Sequence, residues 1–379
     1  MTWPTWPTWP TWPTAKSSEG LGLRESKPTH PWAGRSPAPL AWESGGTSVH
    51  MRQLSLRASL GCDEERSACI DNGTIEVWDL FCGAGGFSEG ARAAGCRVAF
   101  ACDSNEEAIK THRRNHPETV HRCCELPCEL PLPTDGRLFH LHGSPPCQRF
   151  SKINKNTGGW RDKTVAVNLV EWYLEYALAS RATSWSMEQV PAREVLAVVE
   201  RVHRKHQSRM SYAVFHFSKL GVPQTRVRLI AGTPRLVAKL LRAAEEQPRC
   251  SVRSVIAKPR GTHIRGTATG VGQQAKARVA RGDAKYTYKR AEWKDLCRSV
   301  DDLAPTVVGR HALTWVTGNG EGANRSVLYP SELAALQTFP TGYKLPTNKS
   351  QAYLQIGNAV PPLVAELMLG GLRPPRVLS

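Results

Sequence analysis

The stretch from Thr74 to Asn115 constrains the fold more than any other part of the chain. Ile75, Val77 and Leu80 mark a short apolar strand that runs into the glycine turn Gly83-Ala84-Gly85-Gly86. The pattern then predicts a helix from Ser88 to about Ala94, a second apolar strand over Val98–Ala101 closed by the acid Asp103, and a helix from Asn105 to about Asn115. Strand, glycine turn, helix, strand and acid make up the nucleotide-binding half of a doubly wound α/β sheet. A turn of small residues lets a ligand approach the backbone, and an acid closing the second strand can hold a ribose diol. The pattern therefore points to an adenosine-type cofactor, the alternative being a tight strand-to-helix turn with no ligand. It is not a dinucleotide fingerprint, because the third glycine would fall on Ser88.

Further along, Leu138–His142 reads as a strand leading straight into Gly143-Ser144-Pro145-Pro146-Cys147. The double proline stiffens the approach and places Cys147 at a strand's C-terminal end, where doubly wound sheets hold their sites. The plainer reading of an isolated cysteine is one more buried thiol. Asn168–Ser180 is expected to be a helix, Trp185–Val190 a strand, Val195–Lys205 a helix and Leu229–Ala231 a strand. Pro330–Gln337 reads as a short helix, and Leu363–Leu369 closes the chain.

Charge is distributed unevenly over the 379 residues, which carry a formal +17. Residues 1–74 hold seven basic and seven acidic side chains, whereas residues 235–299 hold sixteen and five, a net +11. The surplus belongs to an internal, glycine-broken segment that includes Tyr286 and Tyr288, which suits phosphates and stacked bases. A solvated, partly disordered insert is the alternative. No apolar run approaches the ~20 residues of a membrane span, and the start of the chain has no secretory pattern. An intracellular setting is expected, nuclear in a eukaryote and cytoplasmic otherwise. The eleven cysteines then read as reduced thiols. Cys123, Cys124 and Cys128, even with His140 and His142 nearby, lack a structural zinc spacing, so no metal is expected. A Trp-Pro-Thr triplet repeated four times opens the chain, and residues 1–74 read as a low-complexity, mostly unfolded arm.

Five blocks together resemble a known family. Asp79–Phe87, Pro145–Gln148, Glu188-Gln189-Val190, Gln224-Thr225-Arg226-Val227-Arg228 and Gly357-Asn358-Ala359-Val360-Pro361-Pro362 look like the ordered blocks of the cytosine-5 DNA methyltransferases. The resemblance implies a doubly wound, mostly parallel Rossmann-like S-adenosylmethionine-dependent methyltransferase domain with a small target-recognition insert. On that reading residues 75–234 are catalytic, 235–296 form the basic target-recognition insert, and 297–379 return to the catalytic domain. Asp79, Phe81, Gly83, Gly85, Gly86, Asp103, Glu125 and Asn358 would surround S-adenosylmethionine. Cys147 matches the nucleophile, Glu188 the cytosine-binding acid, and Arg226 and Arg228 the paired arginines. Gln148, Ser151 and Gln224 would touch the substrate. Ser151–Lys163 would close over a cytosine extruded from duplex DNA, bound by one copy of the chain.

Some positions depart from the family pattern. Gln189 stands where the family has Asn, and its extra methylene is expected to displace Glu188 and slow the enzyme. Ala335 replaces a typical Arg, and Glu125 stands in for a usual Asp. Two other readings stay open. One is the tRNA-modifying branch, which usually shows a Cys-Phe-Thr tripeptide absent from this sequence. The other is a degenerate relative that only binds nucleic acid.

Overall fold

The structure is a computed structural model describing residues 74–146, 163–256, 263–264, 285–290, 293–309, 313–317 and 324–370. The expected N-terminal arm up to residue 73, and Cys147, Gln148 and Ser151, lie outside the described residues.

Alternation in the first strand sets up two layers. β1 (Glu76–Leu80) is buried along its whole length, with Val77 facing one side of the sheet and Trp78 and Leu80 the other. Only a strand covered on both faces can carry apolar residues at successive positions, the mark of a parallel sheet with helices on each side. The chain continues through α1 (Gly86–Ala93), β2 (Arg97–Asp103), α2 (Glu106–Asn115), β3 (Val120–Cys123) and β4 (Phe139–Gly143). It then forms α3 (Lys163–Ala179), β5 (Ser184–Gln189), α4 (Arg193–Lys205), β6 (Ser211–His216), β7 (Val227–Gly232) and α5 (Pro234–Glu246). These seven strands lie in the order β3-β2-β1-β4-β5-β7-β6. All neighbours from β3 to β5 are parallel, while β7 runs antiparallel to both β5 and β6.

On one face Trp78, Phe100 and Leu141 pack against Tyr173 and Leu174 of α3 and Val198 and Val202 of α4. On the other, Val77, Val98 and Ile230 pack against Phe87 and Ala91 of α1 and Leu236, Val237 and Leu240 of α5. Asn105 caps α2 by accepting the Ala108 N–H at 3.1 Å, while Glu106 and Glu107 in the first turn complement the positive end of its dipole.

The segment expected as the insert, 235–296, opens within a helix. Residues 234–246 form α5, whose apolar stripe belongs to the first sheet's core. A short helix, α6 (Val252–Val255), follows. A second, wholly antiparallel sheet is then built from β8 (His263–Ile264), β9 (Lys285–Arg290), β10 (Trp293–Ser299), β11 (Thr314–Thr317) and β12 (Asn324–Val327). Its strand order is β10-β9-β11-β12-β8, so it runs past Leu296 to Val327. Three helices complete the chain: α7 (Pro330–Leu336), α8 (Lys349–Asn358) and α9 (Pro362–Leu369). α9 lies on α1 so closely that a Cβ on Gly90 would collide with the Pro362 carbonyl. Among the described residues no helix is long and apolar enough to cross a membrane.

Candidate active site

The glycine turn is held from three directions. Directly after β1, Phe81 takes a left-handed φ of 57°, unusual for a bulky side chain and a sign of local strain. Its ring meets Trp172 edge-on at 6.4 Å. The Cys82 N–H donates to the Cys102 carbonyl at 3.0 Å, and the Gly83 N–H to Asp103 Oδ2 at 2.9 Å. The acid expected to meet a ribose thus also fixes the turn, and its second oxygen accepts the Asn105 N–H at 2.8 Å. Burial raises the Asp103 pKa, partly offset by these backbone donors. Gly85 has φ 92°, which glycine adopts without cost, and it precedes the first turn of α1. From the C-terminal side, the Tyr343 hydroxyl donates to the Ala84 carbonyl at 2.5 Å. A Cβ on Gly86 would clash with the Val360 carbonyl. The segment after α8 therefore returns to the turn, with Asn358 exposed at its start.

Beneath the turn lies a polar chain not anticipated from sequence. Asp79 is buried, and its Oδ2 accepts from Ser88 Oγ at 2.7 Å. Ser88 Oγ lies 3.0 Å from His112 Nε2, and His112 Nδ1 lies 2.8 Å from His121 Nε2. Among the described residues the other Asp79 oxygen has no hydrogen-bond partner. Burial pushes the Asp79 carboxyl up to about 7. A turn of three glycines and one alanine, two acids and, among the described residues, an unpaired buried acceptor fit a cationic adenosine derivative such as S-adenosylmethionine. Glu125 stands exposed on the loop after β3, which is tied to Asp103 by the Cys124 N–H on the Asp103 carbonyl at 3.1 Å. In that loop Cys124 and Cys128 touch, sulfur to sulfur, at 3.5 Å. Among the described residues no group of three or more His, Cys, Asp or Glu could hold a metal ion.

A second cluster forms where β5 and β7 run side by side. Arg228 Nε lies 2.9 Å from Glu188 Oε1, and Arg226 Nη2 lies 3.8 Å from the same oxygen. Arg226, 1 % exposed, also donates to the carbonyls of Val307, Gly357 and Ala359 at 3.3, 3.1 and 3.2 Å. It therefore ties β7 to the segment that returns to the glycine turn, and so joins the two clusters. Gln189 donates from Nε2 to the Pro145 carbonyl at 2.9 Å and accepts the Val190 N–H at 2.7 Å. The longer side chain thus braces the segment leading to Cys147 while Glu188 stays paired. Gln224 is consumed internally. Its amide donates to the Leu336 carbonyl at 2.8 Å and to Gln337 Oε1 at 2.7 Å, and accepts the Val307 N–H at 3.0 Å.

Comparison with known proteins points to one family. A type II methyltransferase of Herpetosiphon aurantiacus, M.HgiDI, is 25% identical over 308 residues, covering 76% of this chain and 90% of that protein. The DNA (cytosine-5)-methyltransferase PliMCI of Paracentrotus lividus is 30% identical over 177 residues, 41% of this chain but 11% of that longer protein. Among solved structures, a proposed DNA modification methyltransferase encoded in an E. coli prophage superposes with a TM-score of 0.56 at 19% identity, covering 79% of this chain and 98% of that one. The likeness confirms the Rossmann-like methyltransferase fold. The family model for C-5 cytosine-specific DNA methylase matches residues 75–372, and the chain belongs to that family of DNA (cytosine-5) methyltransferases.

Proposed function

We propose that the chain methylates carbon 5 of a cytosine flipped out of duplex DNA, acting as a monomer through a covalent bond from Cys147 to carbon 6. The observation that carries this reading is the Glu188–Arg228 pair beside a Gln189 that grips the Pro145 carbonyl, two residues before Cys147. Family and geometry meet at those residues.

Carbon 5 of cytosine is a weak nucleophile until the ring is opened to addition. Attack of the Cys147 thiolate forms a sulfur–carbon 6 bond and pushes the ring's electron pair toward carbon 5. Glu188 faces the ring nitrogen and amine, and Arg228 holds that carboxyl at 2.9 Å. Charge shifting onto the ring is then stabilised by groups already in place. S-adenosylmethionine, when bound over Gly83–Gly86 with Asp79, Phe81, Asp103, Glu125 and Asn358 around it, supplies an electrophilic methyl group. A base takes the carbon 5 proton, the pair left behind re-forms the carbon 5–carbon 6 double bond, and the sulfur leaves as the thiolate. Gln148, next after the nucleophile, and Ser151, four positions after it, would contact the base or its backbone. A stacked cytosine is out of reach, so the base must leave the helix, at a cost of a few kcal/mol.

Duplex DNA carrying 5-fluorocytosine tests the covalent step. Fluorine at carbon 5 cannot leave as a proton, so the sulfur–carbon bond should persist. A protein–DNA complex surviving denaturation is expected with the wild-type chain and not with Cys147→Ser. The same complex in the variant would remove Cys147 from the mechanism.

A further inference from the structure

Five polar side chains run in single file through the centre of the first sheet. Ser184 Oγ lies 2.7 Å from His140 Nδ1, and His140 Nε2 lies 2.9 Å from Ser186 Oγ. Ser186 Oγ lies 2.8 Å from His142 Nδ1, and His142 Nε2 lies 2.9 Å from Ser144 Oγ. His140, His142, Ser184 and Ser186 are buried, and the line crosses between the parallel neighbours β4 and β5. Central parallel strands are ordinarily continuous apolar runs, so four polar residues here are costly unless every group is paired. Here each imidazole nitrogen has a partner.

The pairing also makes all five groups share one direction. Burial keeps both imidazoles neutral near pH 7, with His140 pushed down to about 3 and His142 well below its usual range. Ser186 has one hydroxyl proton but two imidazole neighbours, so it donates to one and accepts from the other. Both histidines must then share a tautomer, and the five groups order as a unit. Phe87 of α1 lies flat on His142, ring centres 3.5 Å apart and planes within 3°. The ladder ends on Ser144, whose N–H donates to the Leu80 carbonyl at 3.2 Å. Pro145 and Pro146, with φ locked, are all that separate Ser144 from Cys147.

We propose that His142 and Ser144 are positioning residues for the nucleophile: the ladder fixes Ser144, and the two prolines carry that fix to Cys147. The proposal rests on Cys147 being the nucleophile, as inferred above. None of the ladder's five side chains is among those proposed to hold the base or the cofactor, so its loss should lower turnover without changing affinity.

Steady-state methylation of duplex DNA tests this with Ser144→Ala, Ser144→Thr, Ser186→Ala and the Ser144→Ala/Ser186→Ala double variant. Melting temperature and S-adenosylhomocysteine binding report on folding. Ser144→Ala should lower kcat ~10- to 100-fold, as misplacement of a reacting group by about 1 Å does, with KM for DNA and cofactor unchanged. Thr, which restores the hydroxyl, should recover most of the loss. Ser186→Ala should match Ser144→Ala, and the double variant should be no worse than either. Wild-type kcat in Ser144→Ala, equal loss in Thr and Ala, a rise in KM in place of the fall in kcat, or additive losses would each overturn the proposal. Should Ser186→Ala not fold, the Ala and Thr pair at position 144 decides alone. A Cys147→Ser control separates the two readings: turnover in that variant defeats the nucleophile assignment, whatever the ladder variants do.

Discussion

Asp79 shows how a single side chain can carry information about the site. Its carboxyl is buried, satisfied on one oxygen by Ser88 and, among the described residues, unpaired on the other, and burial lifts its pKa from 3.8 to about 7. The folded protein therefore holds this proton more tightly than the unfolded chain does. Between pH 3.8 and about 7 the folded state carries the extra proton, so stability falls as pH rises through that window and levels off above it. The slope is at most about 1.4 kcal/mol per pH unit. Asp79→Asn should flatten it, as measured by urea unfolding at intervals across the window. An unchanged slope would mean that Asp79 is ionised throughout. A cofactor cation beside the free oxygen would favour the carboxylate, so cofactor affinity should rise with pH in the wild type and not in the variant.

At the scale of elements, close packing outweighs intrinsic preference. Gly90 sits in the middle of α1, where Ala is favoured by about 1 kcal/mol on helix propensity. An added Cβ there would meet the Pro362 carbonyl and the Ala365 Cβ of α9. Overpacking of this kind costs about 1–3 kcal/mol, so Gly90→Ala should destabilise on balance. Chemical denaturation with a lower midpoint is the expected result, and a raised midpoint would show that the two helices can separate freely.

Which elements were legible in the sequence follows from the same packing. β1, β2, β4, β5 and β7 sit inside the sheet and were legible as strands, β2 and β7 from apolar runs, β4 and β5 from apolar residues alternating with polar ones. β3, Val120-His121-Arg122-Cys123, lies at one edge with Val120 exposed, and β6 lies at the other edge. Edge strands need only one covered face, so their sequences carry no continuous apolar signal. α5 was hidden by its own charges: Arg235, Lys239 and Arg242 placed it in the basic insert, while Leu236, Val237 and Leu240 placed it in the core. The site residues found from motif blocks are those whose chemistry is written in one short stretch. The Asp79–Ser88–His112–His121 chain and the Ser–His ladder were not legible, because each joins strands or helices far apart in sequence through side chains that look like ordinary packing. Gln189 is the instructive intermediate: its departure from the family was visible, but its bond to the Pro145 carbonyl was not.

For the whole molecule the governing quantity is charge. Of the surplus between residues 235 and 299, sixteen basic against five acidic, α5 holds three basic and two acidic side chains, which leaves thirteen and three in residues 247–299. Neutralising Arg278, Arg281 and Lys285 should lower the salt dependence of DNA binding by up to ~3 units of slope if all three meet phosphates. Fluorescence anisotropy over a salt series measures it, and an unchanged slope would show that these residues do not touch the backbone. With the family model spanning residues 75–372, the two sheets together form a methyltransferase whose nucleophile should be Cys147. The most direct test of that claim is methyl incorporation from labelled S-adenosylmethionine into duplex DNA and, separately, into tRNA, each beside a Cys147→Ser control. Label in duplex DNA that disappears in the control is the predicted result. Label in tRNA alone, or label in DNA that persists without the cysteine, would contradict it.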